Sequence, residues 1–412
     1  MALERFGSLG LDTLLRRPIG YAEDGFPVSE LIARSWAAST RLLEGHEDSR
    51  RNWLPGGQAP KAGEVFRSSE FGATLRTLTA EGYDAFYEGE IGRQIVACVQ
   101  AAGGVLAAED LAAYQAEWVE PIWTDYGAGY RFYEIPPNGQ GLTALLALKL
   151  ADGLGLAGVE YGSADYWHLL IEAMKLAFAD AQAYIGDPRQ ASVPVAELLG
   201  DEYLNRRRTL ISRLHAVAPA AGNPHQLGDT IYLCVVDGQG NMVSWIQSLY
   251  MGFGSGLTAG TTGVQLQNRG ANFVLEEGHP NQVAPGKRPY HTIIPAFISR
   301  GGRPWCTFGV MGGFMQPQGH LQVGLNLVQQ GMTPQTALDA PRFRWLRDRE
   351  VALEAAVPDT VRRELIRRGH DVIDPAVRGV SFGGGQIIIR DPDSGVLIAG
   401  SDPRKDGAAV GR

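Results

Sequence analysis

Apolar positions in the first half of the chain recur at helical spacing. Between residues 26 and 43 they fall at Val28, Leu31, Ile32 and Trp36, with Pro27 suited to a first turn and Gly45 to a stop, which predicts a helix. The polar stretch 47–63, with its Pro and Gly, reads as a loop. Further helices are expected over 69–81 and 88–102, divided at Gly82-Tyr83 and ended by Gly103-Gly104. An aromatic strand at 130–135 is halted by Pro136-Pro137, and an apolar helix runs on to about Asp152. Ser163 caps a long amphipathic helix to about Tyr184, a shorter helix is expected over 204–214, and 216–229 reads as a flexible connection. At Gly228-Asp229-Thr230 the period changes. Residues 231–236 and 242–249 read as a β-hairpin about the turn Asp237-Gly238-Gln239-Gly240-Asn241, with Thr230 at its mouth. Gly-rich turns and a loop lead to strands at 292–298 and 305–310, the second running into Met311-Gly312-Gly313-Phe314. Helices at 320–329, after Thr333 with Pro334 in the first turn, and at 359–368 then alternate with short strands that end at 386–390.

Composition narrows the class. A chain of 412 residues that is 44% hydrophobic can bury a sizeable core, in two or three domains or one large layered one. A formal net charge of -8 and a pI near 5.6 supply no basic field for neutralising phosphates, so nucleic acid is not an expected partner. Cys98, Cys234 and Cys306 are odd in number and far apart, which implies no disulfide framework. The N-terminus has no apolar signal core, and the apolar run around 144–151 is broken by Lys149 and too short to span a bilayer. A cytoplasmic protein without a membrane partner is the expectation. The 53 glycines point to many tight turns and close backbone approaches.

Familiar catalytic and cofactor signatures are absent or misplaced. The eight histidines show no H-x-H or H-E-x-x-H spacing, no cysteine pair is close, and no phosphate loop is present, so neither metal nor cofactor is expected. Gly139, Gly141 and Ala144 fit a dinucleotide pattern, but Pro136-Pro137 stands where a tight strand-to-helix turn is needed; a structural turn is the better reading. Ser381 lies in a G-x-S-x-G match followed by a strand rather than by the helix a nucleophile elbow requires. Thr230 offers another route. It is either an ordinary β-branched strand residue or a nucleophile whose hydroxyl attacks the Asp229 carbonyl, turning the peptide into an ester that water opens. Thr230 would then carry a free α-amine of pKa about 7.7–8.0, able to take the hydroxyl proton. Gly312-Gly313 is either a tight turn or a pair of amides presented to an oxyanion.

Taken in order, these residues resemble the gamma-glutamyltranspeptidase family. Thr230 with Val235-Val236-Asp237, Gly240-Asn241, Phe253-Gly254-Ser255-Gly256, Gly286-Lys287-Arg288-Pro289, Gly312-Gly313, Ala340-Pro341-Arg342-Phe343 and Ser401-Asp402-Pro403-Arg404 stand in the family's order. Upstream, Gly82 to Gly89, Glu109 to Tyr114 and Pro136-Pro137 look like its large subunit. The resemblance implies an α+β fold, the four-layer αββα sandwich of N-terminal-nucleophile hydrolases, made as a precursor and cleaved between Asp229 and Thr230. Residues 1–229 would be a large-subunit-like segment, incomplete at its start, and 230–412 a small-subunit-like segment, the two forming one domain as a heterodimer. It also implies Thr230 as nucleophile, Ser248 as its supporting hydroxyl where the family carries threonine, and Gly312 and Gly313 as the oxyanion hole.

The substrate pocket departs from the family pattern. Asn272 stands where the typical member has an aspartate for the glutamyl α-amino group. His291-Thr292 replace a serine pair that holds the α-carboxylate, Tyr250 replaces an asparagine, and Arg269 is nearby. Less acid and an added cation favour an acyl group with a carboxylate but no adjacent ammonium. Gln267-Asn268-Arg269-Gly270 and Met315-Gln316-Pro317-Gln318-Gly319-His320 look like the branch that includes oxamate amidohydrolase and cephalosporin-acylase-like enzymes. Blander readings exist: Asn272 bracing a loop, Arg269 pairing with Glu276 or Glu277, His291 as a packed residue. The expected function is an amidohydrolase or acyltransferase acting on a small amide. A glutathione-type gamma-glutamyl donor activity competes, as does an inactive scaffold, because a leading family portion with sheet strands and a carboxylate-binding arginine is unmatched, and Arg16 or Arg17 is not assumed to replace it.

Overall fold

The computed structural model describes residues 1–218 and 229–411, the Asp229 side chain excepted. Most of the connection expected at 216–229, Gly228 included, lies outside the described residues. Two compact units share the chain: Met1–Trp118 with Gly252–Asn268, and Val119–Met251 with Arg269–Arg412. Each draws on both sides of the Asp229–Thr230 bond.

The first unit is mainly helical. The single helix expected over 26–43 is divided: Phe26–Pro27 pairs with Val65–Phe66, the Ser29 hydroxyl caps Glu30–Ala38, and Thr40–Glu44 is separate. Glu47–Trp53, expected as loop, is a helix. Its polar side chains are satisfied by the returning glycine-rich segment, with Ser49 Oγ donating to the Gly256 carbonyl at 2.6 Å and Arg51 to that of Gly260 at 2.8 Å. Composition could not anticipate acceptors so distant in sequence. Trp36, Trp53, Phe66 and Phe253 pack around one another beside this helix, with Trp53 stacked on Phe66.

The second unit is layered. In chain order it contains β1 (Ile122–Tyr126), β2 (Tyr130–Glu134), α1 (Gly141–Asp152), α2 (Ala164–Tyr184), β3 (Asp229–Val236), β4 (Met242–Tyr250), β5 (Ala296–Arg300) and β6 (Arg303–Met311). Then come α3 (Met315–Val328), α4 (Pro334–Asp339), β7 (Phe343–Arg347), β8 (Glu350–Leu353), α5 (Asp359–Arg367), β9 (Asp371–Ile373), β10 (Gly384–Arg390) and β11 (Leu397–Ser401). An antiparallel sheet runs in the order β11-β10-β6-β5-β2-β1. The helix expected over 204–214 is Asp201–Arg208, and the strand expected from 292 starts at Ala296, because Thr292 is held by loop contacts instead. Helix α3 begins at Met315 rather than 320; Pro317 falls in its first turn, where a missing N–H costs nothing.

Alternation along β6 assigns the two faces of this sheet. Phe308 and Val310 meet the helices, and Thr307 and Gly309 meet the β3–β4 hairpin. On the helical side α1 is apolar nearly all round and buried nearly all round. Gly319 and Gly324 let α3 lie close: a Cβ there would come within 2.5 Å of Val310 Cγ1 and 2.8 Å of Phe132 Cε1. On the other side the Tyr232 ring lies against Gly309, its hydroxyl reaches Ser244 Oγ at 2.8 Å and Thr307 Oγ1 at 3.5 Å, and Thr307 donates to the Val243 carbonyl. The outer face of the hairpin, with Ile231, Leu233, Val235, Val243 and Trp245, is apolar and exposed. No helix among the described residues is long and apolar enough to cross a membrane.

One ion pair fastens the C-terminal end. Arg342, 1% exposed, binds Asp402 Oδ2 at 2.6 Å, and the same oxygen accepts the Gly385 N–H at the start of β10. Removing one partner of such a pair strands the other charge in the core. Asp402→Ala should therefore lower unfolding free energy by about 3–5 kcal/mol, read as a reduced urea midpoint with little change in slope.

Candidate active site

Thr230 is buried at the second position of β3, where the ladder is irregular. Asp229 pairs with Tyr250 and Ile231 with Gln247, so Ser248 and Leu249 together oppose the single residue Thr230. Such a bulge re-aims a side chain. Here Thr230 Oγ1 donates to Ser248 Oγ at 2.9 Å, and the same Ser248 oxygen accepts the Tyr250 N–H at 2.8 Å. Tyr250 itself sits at φ +83, a left-handed conformation that a bulky side chain adopts only at a cost, and its side chain is fully buried.

The stacking of the hairpin fixes what lies opposite. Val243 meets Thr307 and Tyr232 meets Gly309, so the contacts advance in step toward one end. Extended past Tyr232, the same step directs the Thr230 end of β3 toward the Met311–Gly312 end of β6. There Gly312 has φ +133 and Gly313 φ +62, and a Cβ on Gly312 would crowd Gly383 Cα at 3.1 Å. Only glycine suits both the dihedrals and the space. Two consecutive backbone amides at a strand end, without side chains over them, can receive a negative oxygen.

A continuous set of contacts joins the remaining residues. The Arg269 guanidinium lies 5.4 Å from the Tyr250 ring centroid and donates to Thr292 Oγ1 at 3.0 Å. Gln140, fully buried, donates from one nitrogen to the carbonyls of Thr292 at 2.6 Å and Gly313 at 2.8 Å. His291 exchanges backbone hydrogen bonds with the Asn138–Gln140 turn. Asn272 gives its amide to the Tyr290 carbonyl at 3.0 Å, so the loop-bracing reading holds at least for that nitrogen. Burial brings the Arg269 pKa down to about 10, opposed by Tyr250, and pushes the Tyr250 hydroxyl up to about 12 despite Arg269. His291 is held down to about 3 by burial, then by the charges of Arg269 and Arg288; it is a neutral group. Arg269 is therefore the permanent charge among the residues singled out.

Several participants carried no signal that sequence reasoning used. Gln140 and Tyr290 are buried polar residues whose partners lie far away in sequence, so nothing local marked them. Elsewhere, His168, Glu172 and His370 offer ligand atoms within 4.8 Å of one another. Lys175 already neutralises this cluster, placing Nζ 2.7 Å from Glu172 Oε1, and the pair grips both the N–H and the C=O of Val217. Cys234 is a poor nucleophile, its thiol pushed up to about 12 by burial.

A hairpin packed on a six-stranded sheet, with helices on the other face of that sheet, is the layering of an N-terminal-nucleophile type of amidohydrolase. The sequence model of the gamma-glutamyltranspeptidase family matches residues 1–412, and the chain belongs to that family. It is 37% identical to the glutathione hydrolase-like YwrD proenzyme of Bacillus subtilis (strain 168), over 99% of this chain and 78% of that protein. It is 35% identical to the oxamate amidohydrolase proenzyme of Klebsiella pneumoniae subsp. pneumoniae, over 98% and 76%. Among solved structures, the cephalosporin acylase of Bacillus halodurans superposes with a TM-score of 0.91 at 46% identity, covering 98% of this chain and 75% of that one. The fold is the N-terminal-nucleophile hydrolase fold.

Two histidines held neutral set a pH dependence. His320, fully buried, is held down to about 3 by burial, as His291 is by burial and nearby cations. The unfolded chain binds these protons below about 6.5, the folded chain only near the depressed values, so stability rises with pH across that window. Denaturant midpoints should fall between pH 7 and pH 5, and His320→Gln should flatten that fall by up to ~1.4 kcal/mol per pH unit.

Proposed function

We propose that the protein is a self-processing amidohydrolase or acyltransferase that works through a threonyl acyl-enzyme at Thr230. The Thr230 hydroxyl adds to the Asp229 carbonyl, the C–N bond breaks as the nitrogen takes a proton, and water opens the resulting ester. Asp229 becomes a carboxyl terminus and Thr230 gains a free amine. In turnover that amine takes the hydroxyl proton while Oγ1 attacks the substrate amide, and the amides of Gly312 and Gly313 hold the oxyanion. The leaving amine departs with the proton that the Thr230 amine took up. Water, or an amine acceptor, then removes the acyl group. Ser248 orients the nucleophile through its oxygen. Residues 1–229 and 230–412 remain together as a heterodimer, a reading supported by the way each compact unit draws on both.

The observation that carries this reading is the run of contacts from Thr230 through Ser248, Tyr250, Arg269, Thr292 and Gln140 to Gly313. It links a buried guanidinium by contacts both to the proposed nucleophile and to the glycine pair, which supports the reading. With Thr292 and neutral His291 beside it, Arg269 suits a carboxylate on the acyl group, and Asn272 offers no charge for an α-ammonium. An oxamate- or glutaryl-like amide fits those terms, as do the relatives named for oxamate and cephalosporin.

Initial rates with glutaryl-p-nitroanilide and gamma-glutamyl-p-nitroanilide distinguish the two donor classes. The glutaryl compound should have at least a ~10-fold higher kcat/KM, and Arg269→Leu should lose ~10–100-fold on it, the worth of a charge-assisted hydrogen bond. Asn272→Asp should shift the ratio toward the gamma-glutamyl compound. Preferred turnover of that compound by the unaltered protein would overturn the substrate reading.

A further inference from the structure

Helix α3 is buried throughout, yet it carries Gln316, Gln318, His320, Gln322 and Asn326. Most of these serve nearby backbone. Gln318 accepts the Trp345 N–H and donates to its carbonyl, Gln322 does the same for Phe343, Gln316 accepts the Ile294 N–H, and Asn326 donates to the Ala337 carbonyl. His320 alone among them is backed by a carboxyl group. Its Nδ1 lies 2.6 Å from Glu134 Oε1, and its Nε2 accepts the Val310 N–H at 3.1 Å. An N–H pointing at Nε2 forbids a proton there, so the single proton of the neutral ring is on Nδ1, donated to Glu134. Glu134 is 3% exposed, and its Oε2 has no hydrogen-bond partner among the described residues. A buried acid whose side chain serves one histidine points to the orientation of that ring as its purpose.

Val310 needs such a partner because of where β5 begins. Ala296, the first residue of β5, pairs with Phe308, so β6 runs past its neighbour before reaching Gly312. Without an acceptor the Val310 N–H would be a buried orphan next to the glycine pair. Gly319 permits the approach, since a side chain there would strike Val310, and it stands directly before His320.

We propose that His320, oriented by Glu134, is a positioning residue for the Gly312 and Gly313 amides: it fixes the Val310 peptide and so aims the two N–H groups that follow. This rests on the reading of that pair as the oxyanion hole. Gln140 holds the far side of the same turn through the Gly313 carbonyl, so the two side chains brace it from both ends.

Five variants of the full chain, assayed with glutaryl-p-nitroanilide alongside melting temperatures, test this. His320→Leu should lower kcat ~10–100-fold, the scale of a misplaced oxyanion donor, with KM within about threefold. His320→Gln, whose carbonyl oxygen can accept the Val310 N–H, should recover to within about fivefold. Glu134→Leu keeps the imidazole but strands its Nδ1–H; it should lose some melting temperature, as Gln322→Leu does, and in addition lose kcat. Gln322→Leu, on the same helix but bonded to β7, should lose melting temperature and keep kcat. Equal kcat losses in His320→Leu and Gln322→Leu, or an unaffected kcat in Glu134→Leu, would overturn the inference. Thr230→Ala separates the levels: if it is inactive while His320→Leu turns over normally, only the positioning role falls, and if it turns over, the nucleophile assignment falls as well.

Discussion

The Tyr232 ring resting on Gly309 is the contact on which the site depends. A Cβ at residue 309 would stand 2.6 Å from that ring, so the missing side chain is what allows the hairpin to settle on the larger sheet. From this point β3 runs back to Thr230 and β6 runs on to Gly312, toward the same end. The bulge opposite Thr230 turns Ser248 toward its hydroxyl, and the strained Tyr250 backbone follows from the same irregularity. Sheet packing thus directs the Thr230 end of β3 and the Gly312 end of β6 the same way, which is what the proposed chemistry requires.

Fixed polar groups are buried around the candidate site. Gln140, Tyr290, His320 and Thr292 are buried, and the side chain of each has a hydrogen-bond partner in the backbone or in another side chain. Such groups cannot reorient when charge develops, which is the condition for strong electrostatic stabilisation. The charged forms of His291 and His320 are suppressed by burial, while Arg269 keeps its proton at neutral pH even with its pKa brought down to about 10. Under the proposed function, a cation with neutral neighbours would select for an anionic group on the substrate and against a second positive charge.

Much of the scaffold was legible because local pattern and tertiary role agree. The hairpin expected at 231–236 and 242–249 is Asp229–Val236 and Met242–Tyr250, and the Ser163 and Thr333 caps accept the backbone N–H groups they should. The helix Glu47–Trp53 and the early start of α3 were not legible, since their polar side chains are satisfied by backbone far away in sequence. The same holds for the site. Thr230, Ser248 and the glycine pair were proposed from motif order, whereas Gln140 acts on carbonyls at residues 292 and 313 and Glu134 on a histidine at 320. Nothing local marks Tyr250 for a positive φ. The exposed apolar face of the hairpin was equally silent, because alternation with apolar residues on both faces reads as a doubly covered strand.

The measurement that bears most directly on the whole account is the mass and N-terminal sequence of the fragments in purified protein after prolonged incubation. A smaller fragment beginning with Thr230 is the predicted result, since only that cut gives the buried hydroxyl its own amine. A chain that stays at 44.5 kDa, or that is cut at another bond, would contradict the account.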